Sequence, residues 1–313
     1  MPGTCLAAQG SGVPPEGDLG RRLAVHVQRL AGEIGERNLW RPRQLEQAAA
    51  AIEASWGAMG YAVNRQEYRV NGQAVANLEV LIPGSGSGEI IVVGAHYDSV
   101  RGSPGANDNA SGVAALLELA RLFRQSRPTR ELRFVAFANE EPPFFLTSDM
   151  GSRVYARQAR QRGEAIRAMV SLETIGYFND TPGSQRYPFP LGFLYPSQAN
   201  FIGIVGNLGS RHLVRQAAKA FRQGSSFPME KVAAPGIMTG IGWSDHWSFW
   251  REGYQAIMIT DTALFRYDPY HTSTDTPDKL VYDRMAAVVL GIGKVIEDLA
   301  ETGPAGMTWG QAP

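Results

Sequence analysis

Short apolar segments alternate with amphipathic segments along most of this 313-residue chain. Residues 90–93, Ile-Ile-Val-Val, are typical of a strand that is buried on both faces of a sheet. Between such runs, apolar residues recur every three to four positions, which predicts helices. The alternation predicts an α/β fold, a three-layer α/β/α sandwich around a mostly parallel, mixed central sheet. Ligands of such folds gather at the carboxyl ends of the strands.

The positions of individual elements follow from the same periodicities. Asn71-Gly72, between two strand-like segments, indicates a two-residue hairpin and one antiparallel strand pair. Residues 176–200, rich in Pro, Gly and aromatic residues, predict a long loop that forms part of a functional site. Strands are predicted over 61–70, 74–82, 90–93, 132–138, 168–172, 201–205 and 256–260, and helices over 19–34, 44–59, 110–123, 148–160, 211–221 and 283–299.

Composition excludes several classes of function. Thirty basic and thirty acidic residues give a formal net charge of zero, so no overall field favours nucleic acid or anionic lipid as a partner. The single cysteine, Cys5, excludes an internal disulfide and a thiolate metal cluster, which leaves imidazole and carboxylate as metal ligands. No apolar run approaches the roughly 20 residues that span a bilayer.

A simple domain organisation is predicted. Residues 1–17, rich in Gly and Pro, form a flexible lead, and residues 18–313 form a single domain. No signal or membrane segment is recognisable in the sequence, which leaves the compartment open; an exported mature form is compatible with it.

A histidine and two aspartates lie around the exit of the first buried strand. In an extended chain His96 and Asp98 point to the same side, so Asp98 can accept a hydrogen bond from the imidazole and orient it. Asp108 precedes a predicted helix, where an N-cap and a carboxylate that bridges two metal ions are about equally compatible with its position. The neighbouring His96 and Asp98 favour the bridge.

Three more acids and a second imidazole follow. Glu140 and Glu141 come after the strand at 132–138, where two like charges beside an apolar core are costly without cations. One of them can bind metal while the other faces an activated water; two solvated glutamates at a turn are the alternative. Glu173 ends a third strand and His271 lies in a polar loop. The set predicts two zinc ions and a hydrolase.

The remaining histidines are predicted to have other roles. Asp245 and His246 are the main competitors of His271 as metal ligands. We predict instead that this pair contacts the ligands without binding the metal. Capping of the following helix by Ser244 or Asp245 is the alternative role. His26 and His212 lie in amphipathic helices, which indicates a surface or packing role.

In this order the motifs resemble the M28 family of zinc-dependent exopeptidases, the co-catalytic aminopeptidase group to which glutaminyl cyclases are related. The resemblance covers about residues 90–280. It rests on His96-x-Asp98, the segment 105–112 (Gly-Ala-Asn-Asp-Asn-Ala-Ser-Gly), Asn139-Glu140-Glu141, the acid before Ile175-Gly176, Ser244-Asp245-His246 and Tyr270-His271-Thr272-x-x-Asp275-Thr276.

The resemblance implies the zinc exopeptidase fold, with residues 18–313 as one zinc peptidase domain. It also implies a cis peptide bond between Asp108 and Asn109. The implied roles are a first zinc held by His96 and Glu173, a second held by Glu141 and His271, a bridge from Asp108 to both, a general base in Glu140 and an orienting carboxylate in Asp98.

The implied activity is removal of N-terminal residues from peptides, or cleavage of aminoacyl small molecules, by a water that two zinc ions activate. A site with one zinc is the alternative occupancy. A single-zinc glutaminyl-peptide cyclotransferase and a non-catalytic peptide-binding domain of the same fold remain open as other functions.

The sequence departs from the family pattern at two places, and each departure leads to a prediction. Family members commonly have aspartate at the position of Glu173, so one metal is expected to bind less tightly. Residues 142–150 replace a short glycine-containing turn, which predicts a remodelled substrate entrance. Five aromatic residues are predicted to shape an apolar substrate pocket, and packing in the core is the alternative role for them. These residues are Phe144, Phe145, Tyr177, Phe178 and Trp247.

Overall fold

Eight strands form one mixed sheet in the computed structural model, which describes residues 16–86, 88–187 and 191–301. The strands are β1 (Asn64–Val70), β2 (Gln73–Ile82), β3 (Ile90–His96), β4 (Glu131–Phe137), β5 (Ile166–Glu173), β6 (Ile202–Asn207), β7 (Met229–Ala234) and β8 (Ala256–Thr260). Their order in the sheet is β1-β2-β4-β3-β5-β8-β6-β7.

Helices cover both faces of this sheet. They are α1 (Glu16–Val27), α2 (Pro42–Ala58), α3 (Gly112–Phe123), α4 (Gly151–Gln161), α5 (Arg211–Gly224), α6 (His246–Arg251) and α7 (Tyr282–Ala300). Side chains from α4 and α6 pack on one face, and the other long helices pack on the opposite face. Within β3, Ile91 and Val93 join one apolar cluster, while Ile90 and Val92 join the other. The predicted α/β class and the doubly buried strand are therefore confirmed.

The predicted hairpin is present between β1 and β2. The two strands pair antiparallel, with Val70 opposite Gln73 at the turn. Asn71 and Gly72 have φ values of 49° and 82°. Positive φ at both central positions is the backbone that matches the twist of the two strands, and Asn-Gly adopts it at low cost.

Four adjacent strands, β4, β3, β5 and β8, run parallel. Their carboxyl ends therefore meet at one edge of the sheet. His96 is the last residue of β3, Glu173 is the last residue of β5, and the Glu140-Glu141 pair follows β4. The sheet thus brings together groups that are far apart in sequence.

The sequence patterns missed one strand and shifted several boundaries. β7 is an edge strand whose side chains are partly exposed and include Lys231, so it shows no apolar run. Helix α4 begins at Gly151 rather than at residue 148. Residues 1–15 of the predicted lead lie outside the described residues, and residues 16 and 17 already belong to α1. No helix in the described ranges is long and apolar enough to cross a bilayer.

Candidate metal centre

Two groups of three side chains meet at the carboxyl edge of the sheet and share Asp108. In the first, Nε2 of His96 lies 3.2 Å from Oδ1 of Asp108 and 3.3 Å from Oε2 of Glu173. In the second, Nε2 of His271 lies 3.0 Å from Oδ2 of Asp108 and 3.3 Å from Oε2 of Glu141. The two oxygens of one carboxylate thus face two different imidazoles.

Asp98 connects β3 to the turn that follows β4. Its Oδ1 accepts a hydrogen bond from the main-chain N–H of Glu140 at 3.1 Å, and its Oδ2 accepts one from Glu141 at 3.2 Å. Its distance to Nδ1 of His96 is 3.5 Å, at the outer limit of hydrogen-bond range. The side chain predicted to orient His96 therefore has its closer contacts with the backbone of the glutamate pair.

The turn that carries Asp108 is fixed through its neighbours on both sides. Asn107 donates to Asp261 (2.9 Å) and accepts from the N–H of Gly176 (3.0 Å). Asn109 donates to the carbonyl of Leu172 (2.8 Å) in β5. The peptide bond between Asp108 and Asn109 is cis, as the family resemblance implies. The side chain of Asp108 makes no helix cap and is directed to the two histidines instead.

Glu140 and Glu141 have different surroundings although they are adjacent. Oε1 of Glu141 accepts from the N–H of Val100 at 2.9 Å, while its Oε2 faces His271. Glu140 belongs to neither group of three, and its Oε2 lies 4.0 Å from Nε2 of His96. Both side chains are buried. The pair therefore offers one candidate ligand and one free carboxyl group beside it.

Glu173 and His271 each also contact a residue outside the two groups. Oε2 of Glu173 accepts a hydrogen bond from the hydroxyl of Ser244 at 2.8 Å, and that hydroxyl is 2.9 Å from the hydroxyl of Ser171. The ring of His271 stacks on Tyr270, with centroids 3.9 Å apart. His271 is the more accessible imidazole, since its side chain is 32% exposed and that of His96 is 1% exposed.

Burial and crowding of carboxylates shift the pKa values of the site. Burial raises the pKa of Glu140 well above its usual value and that of Glu141 to about 8, and neighbouring carboxylates add to both shifts. Burial opposes protonation of His271, but Asp108 and Glu141 outweigh it and raise its pKa to about 10. The cluster therefore has excess negative potential, which divalent cations would offset.

The residues present fit zinc. Both ring nitrogens of His96, Nε2 of His271 and Oδ1 of Asp108 are buried and have no hydrogen-bond partner among the described residues, although buried polar atoms normally have one. Zinc in proteins takes imidazole nitrogen and carboxylate oxygen at ~2.0–2.2 Å, so that two ligand atoms of one tetrahedral ion lie roughly 3.3–3.6 Å apart. The imidazole–carboxylate separations in both groups, 3.0 to 3.3 Å, are at or slightly below this spacing.

The remaining histidines lie apart from the two groups. Nε2 of His246 is 2.8 Å from the carbonyl of Ile241, and its ring packs against Trp250. His26 contacts Glu118 at 3.1 Å, and His212 is exposed on α5. Asp245 precedes α6 without a side-chain capping hydrogen bond and is fully buried.

The sequence profile of peptidase family M28 matches residues 77–296, more than half of the chain. The chain belongs to peptidase family M28. The resemblance seen in the ordered motifs is thereby confirmed.

Sequence relatives of the chain include an uncharacterized protein and a leucine aminopeptidase. Uncharacterized protein YfbL of Escherichia coli (strain K12) is 40% identical over 280 residues, which cover 87% of this chain and 85% of YfbL. Leucine aminopeptidase 1 of Arthroderma otae is 28% identical over 288 residues, which cover 86% of this chain and 68% of that protein.

Solved structures of M28-like proteins share the fold. BSAP, a zinc aminopeptidase from Bacillus subtilis, superposes with a TM-score of 0.72 at 15% identity, covering 89% of this chain and 94% of BSAP. Fimbriiglobus ruber glutaminyl cyclase superposes with a TM-score of 0.64 at 19% identity, covering 93% and 99%. At these identities the likeness shows the common fold alone.

Three residues of this M28 site escaped the sequence reasoning. Asp275 accepts from the N–H groups of Asn107 (2.8 Å) and Asp108 (3.1 Å); it is part of a family motif, but no role was predicted for it. Ser244 is also part of a family motif, and the only role predicted for it was that of a helix cap. Arg37 belongs to no motif, yet its buried guanidinium donates to the carbonyls of residues 97, 104 and 105, in the loop that leads to Asp108.

The aromatic residues predicted to shape a substrate pocket do not line the cavity that adjoins Glu173. Phe144 stacks on Trp40, Phe178 packs on Phe227, and Tyr177 packs on Tyr267. The segment 142–150 nevertheless reaches the cavity wall, because Phe145 makes an edge contact with Trp243, which lines it.

Proposed function

We propose that this protein is a zinc-dependent aminopeptidase, which removes N-terminal residues from peptides or from aminoacyl small molecules. One observation carries the proposal. A single buried carboxylate, Asp108, faces His96 with one oxygen and His271 with the other, and each imidazole has a second carboxylate at 3.3 Å. Two zinc ions that share a ligand would account for this arrangement.

In this proposal His96, Asp108 and Glu173 hold one zinc, and Asp108, Glu141 and His271 hold the other. When bound, the ions would lower the pKa of a water and polarise the substrate carbonyl. Ser244 keeps the carboxylate of Glu173 directed at the first site, which supports a ligand role for a glutamate in place of the usual aspartate.

Glu140 is the proposed general base. Its carboxyl group lies beside both ligand groups without belonging to either, and burial raises its pKa. It accepts a proton from the attacking water and then donates that proton to the leaving amine, so the peptide C–N bond breaks as the new C–O bond is retained. Asp98 positions it through the hydrogen bond to its N–H.

We also propose that residues 18–313 form one zinc peptidase domain. The single sheet supports this, since its eight strands come from both halves of the chain and its edge strands β1 and β7 belong to opposite halves.

Replacement of Glu140 tests the proposal. Glu140→Gln should retain two zinc ions per chain and lower kcat on aminoacyl anilides by about 10²- to 10⁴-fold, because the proton acceptor is lost. Glu67→Gln, on exposed β1, is the matched control and should leave both quantities unchanged. Near-normal turnover by Glu140→Gln would refute the assignment of the base.

An extension of this assay distinguishes the aminopeptidase from the cyclotransferase alternative. The zinc content and the release of ammonia from N-terminal glutaminyl peptides would be measured beside anilide hydrolysis. Two zinc ions with anilide hydrolysis support the aminopeptidase, whereas one zinc with glutamine cyclisation and no hydrolysis would overturn it. Zinc binding without either reaction would leave the non-catalytic domain.

A further inference from the structure

A largely apolar cavity of about 110 Å³ opens beside the candidate metal centre. Glu173 and Tyr270 form its wall on the side of the centre, and Tyr270 stacks on His271. Its other walls include Ile204, Val205, Ile241, Trp243, Met258 and Phe265. A side chain of a substrate held at the centre can therefore enter this cavity directly.

The floor of the cavity follows one row of residues across four strands. Glu173 pairs with Thr260, Thr260 pairs with Gly203, and Gly203 pairs with Glu230. All four line the cavity. Residues directly paired across strands face the same side of a sheet, and neighbouring strands are ~4.8 Å apart, so Glu230 lies about 14 Å along the row from Glu173.

Gly203 keeps this row open. A Cβ atom added there would meet the carbonyl oxygen of Thr260 at 3.3 Å, a tight contact, and a methyl carbon of Thr262 at 3.5 Å, an ordinary one, so a small local shift would accommodate it. Any larger residue would instead project onto the floor between Thr260 and Glu230. The far end of the cavity is accessible from the metal centre because this position has no side chain.

Glu230 is the acidic group at the far end. In the described part of the chain no Lys, Arg or His forms an ion pair with its half-buried carboxylate. Lys231, the next residue of β7, also borders the cavity, but successive side chains of a strand point to opposite faces of the sheet, and the side chain of Lys231 is exposed. The guanidinium of Arg266 lies over the ring of Phe201, which lines the cavity, and donates to Gln185 and to main-chain carbonyls.

Two tyrosines share the cavity wall with Glu230. Tyr187 and Tyr195 line the cavity and stack on each other, with ring centroids 5.8 Å apart. Burial raises the pKa of both phenols and the carboxylate of Glu230 adds to this, while the guanidinium of Arg266 lowers the pKa of Tyr187. The carboxylate of Glu230 thus borders a mostly apolar space that it shares with two phenols.

We propose that this cavity receives the side chain of the substrate's N-terminal residue and that Glu230 selects a basic residue, arginine or lysine. The inference rests on the proposed aminopeptidase function. Arginine and lysine combine a long apolar stem, which suits the walls, with a cationic end, which suits Glu230. A long apolar side chain would instead displace water from the carboxylate without pairing it, which is costly.

The test compares kcat/KM for the p-nitroanilides of arginine, lysine, leucine and methionine. The wild-type protein should favour the two basic substrates. Glu230→Gln should lower kcat/KM for these by about 10- to 100-fold, the range that one charge-assisted hydrogen bond supplies, and leave leucine and methionine unchanged or improved. Glu67→Gln again serves as the control. A wild-type preference for leucine, or equal losses on all four substrates, would overturn the inference and leave the aminopeptidase function standing.

Two further measurements do not depend on the same variant. In zinc-loaded Glu140→Gln, calorimetry should show tighter binding of argininamide than of leucinamide, and equal affinities would count against the proposal. Gly203→Val should impair arginine and leucine anilides but spare alanine anilide, because its side chain blocks only the far end. Unchanged turnover of arginine anilide by Gly203→Val would contradict the assignment of the cavity. Absence of turnover on every substrate by the wild-type protein would instead contradict the proposed function itself.

Discussion

Oδ1 of Asp98 accepts a hydrogen bond from the main-chain N–H of Glu140 at 3.1 Å. The other oxygen accepts from Glu141, and the carboxylate also lies 3.5 Å from Nδ1 of His96. One side chain therefore holds the backbone of the proposed base and of one proposed ligand, and lies beside the ring of another.

Asp98→Asn should disturb all three. An amide offers one acceptor oxygen, and its NH₂ group would face one of the two N–H donors. We expect zinc affinity or kcat to fall by about 10- to 100-fold, as for other groups that support metal ligands. Chelator competition and anilide turnover measure the two quantities, with the exposed Asp268→Asn as control. Unchanged values in both would show that the contacts of Asp98 are dispensable.

Replacement of Asp108 and replacement of His271 should reduce the number of bound zinc ions to different extents. Because Asp108 belongs to both groups and His271 to one, Asp108→Ala should lose both tightly bound zinc ions, whereas His271→Ala should lose only one. Metal analysis after gel filtration gives the counts. Retention of two ions by Asp108→Ala would exclude the shared ligand.

Asp275 should contribute to stability through the turn that carries Asp108. Its two oxygens accept from the N–H groups of Asn107 and Asp108, and Oδ1 also accepts from the hydroxyl of Tyr267 at 2.8 Å. Asp275→Asn places an NH₂ group against one N–H, which should lower the free energy of unfolding by about 1–3 kcal/mol. Tyr267→Phe removes only the hydroxyl and should cost less. Urea unfolding of both variants checks the order, and the reverse order would contradict the assigned contacts.

His246 should make the metal-free protein sensitive to acid. Burial lowers its pKa from 6.5 to about 4, so the folded state disfavours the protonated ring. Its contribution to stability is complete above pH 6.5 and is lost as the pH falls through 4, by on the order of 3 kcal/mol. Urea unfolding in EDTA between pH 6.5 and 4 should show this loss in the wild type and in the exposed His212→Gln, but not in His246→Gln. Parallel pH profiles for all three proteins would exclude His246 as the source.

The parallel core and the candidate site residues at its edge could be predicted because their signals are local. Residues 90–93 form an unbroken apolar run, and polar residues follow directly at His96 and Asp98. Since carboxyl ends of parallel strands share one edge, the convergence of His96 and Glu173 follows from the fold class.

Other features depend on packing that no local pattern shows. β7 pairs at the sheet edge with β6, and its short, partly exposed sequence lacks a period. Part of the cavity wall comes from Trp243, in a loop, and Phe265, in a short 3-10 helix, and tertiary contacts set the positions of both. For the same reason the sequence does not show that the aromatic residues next to the glutamate pair stay outside this cavity.

The buried guanidinium of Arg37 lies outside the M28 profile, which begins at residue 77. It donates to main-chain oxygens of Tyr97, Pro104 and Gly105. A fragment limited to residues 77–296 would leave these oxygens without their hydrogen-bond donor. The loop just before Asp108 would then lose the contacts that hold it in place. The segment that carries Arg37 thus supports the candidate metal centre from outside the M28 profile, and the profile boundaries are narrower than the unit that holds the loop before Asp108.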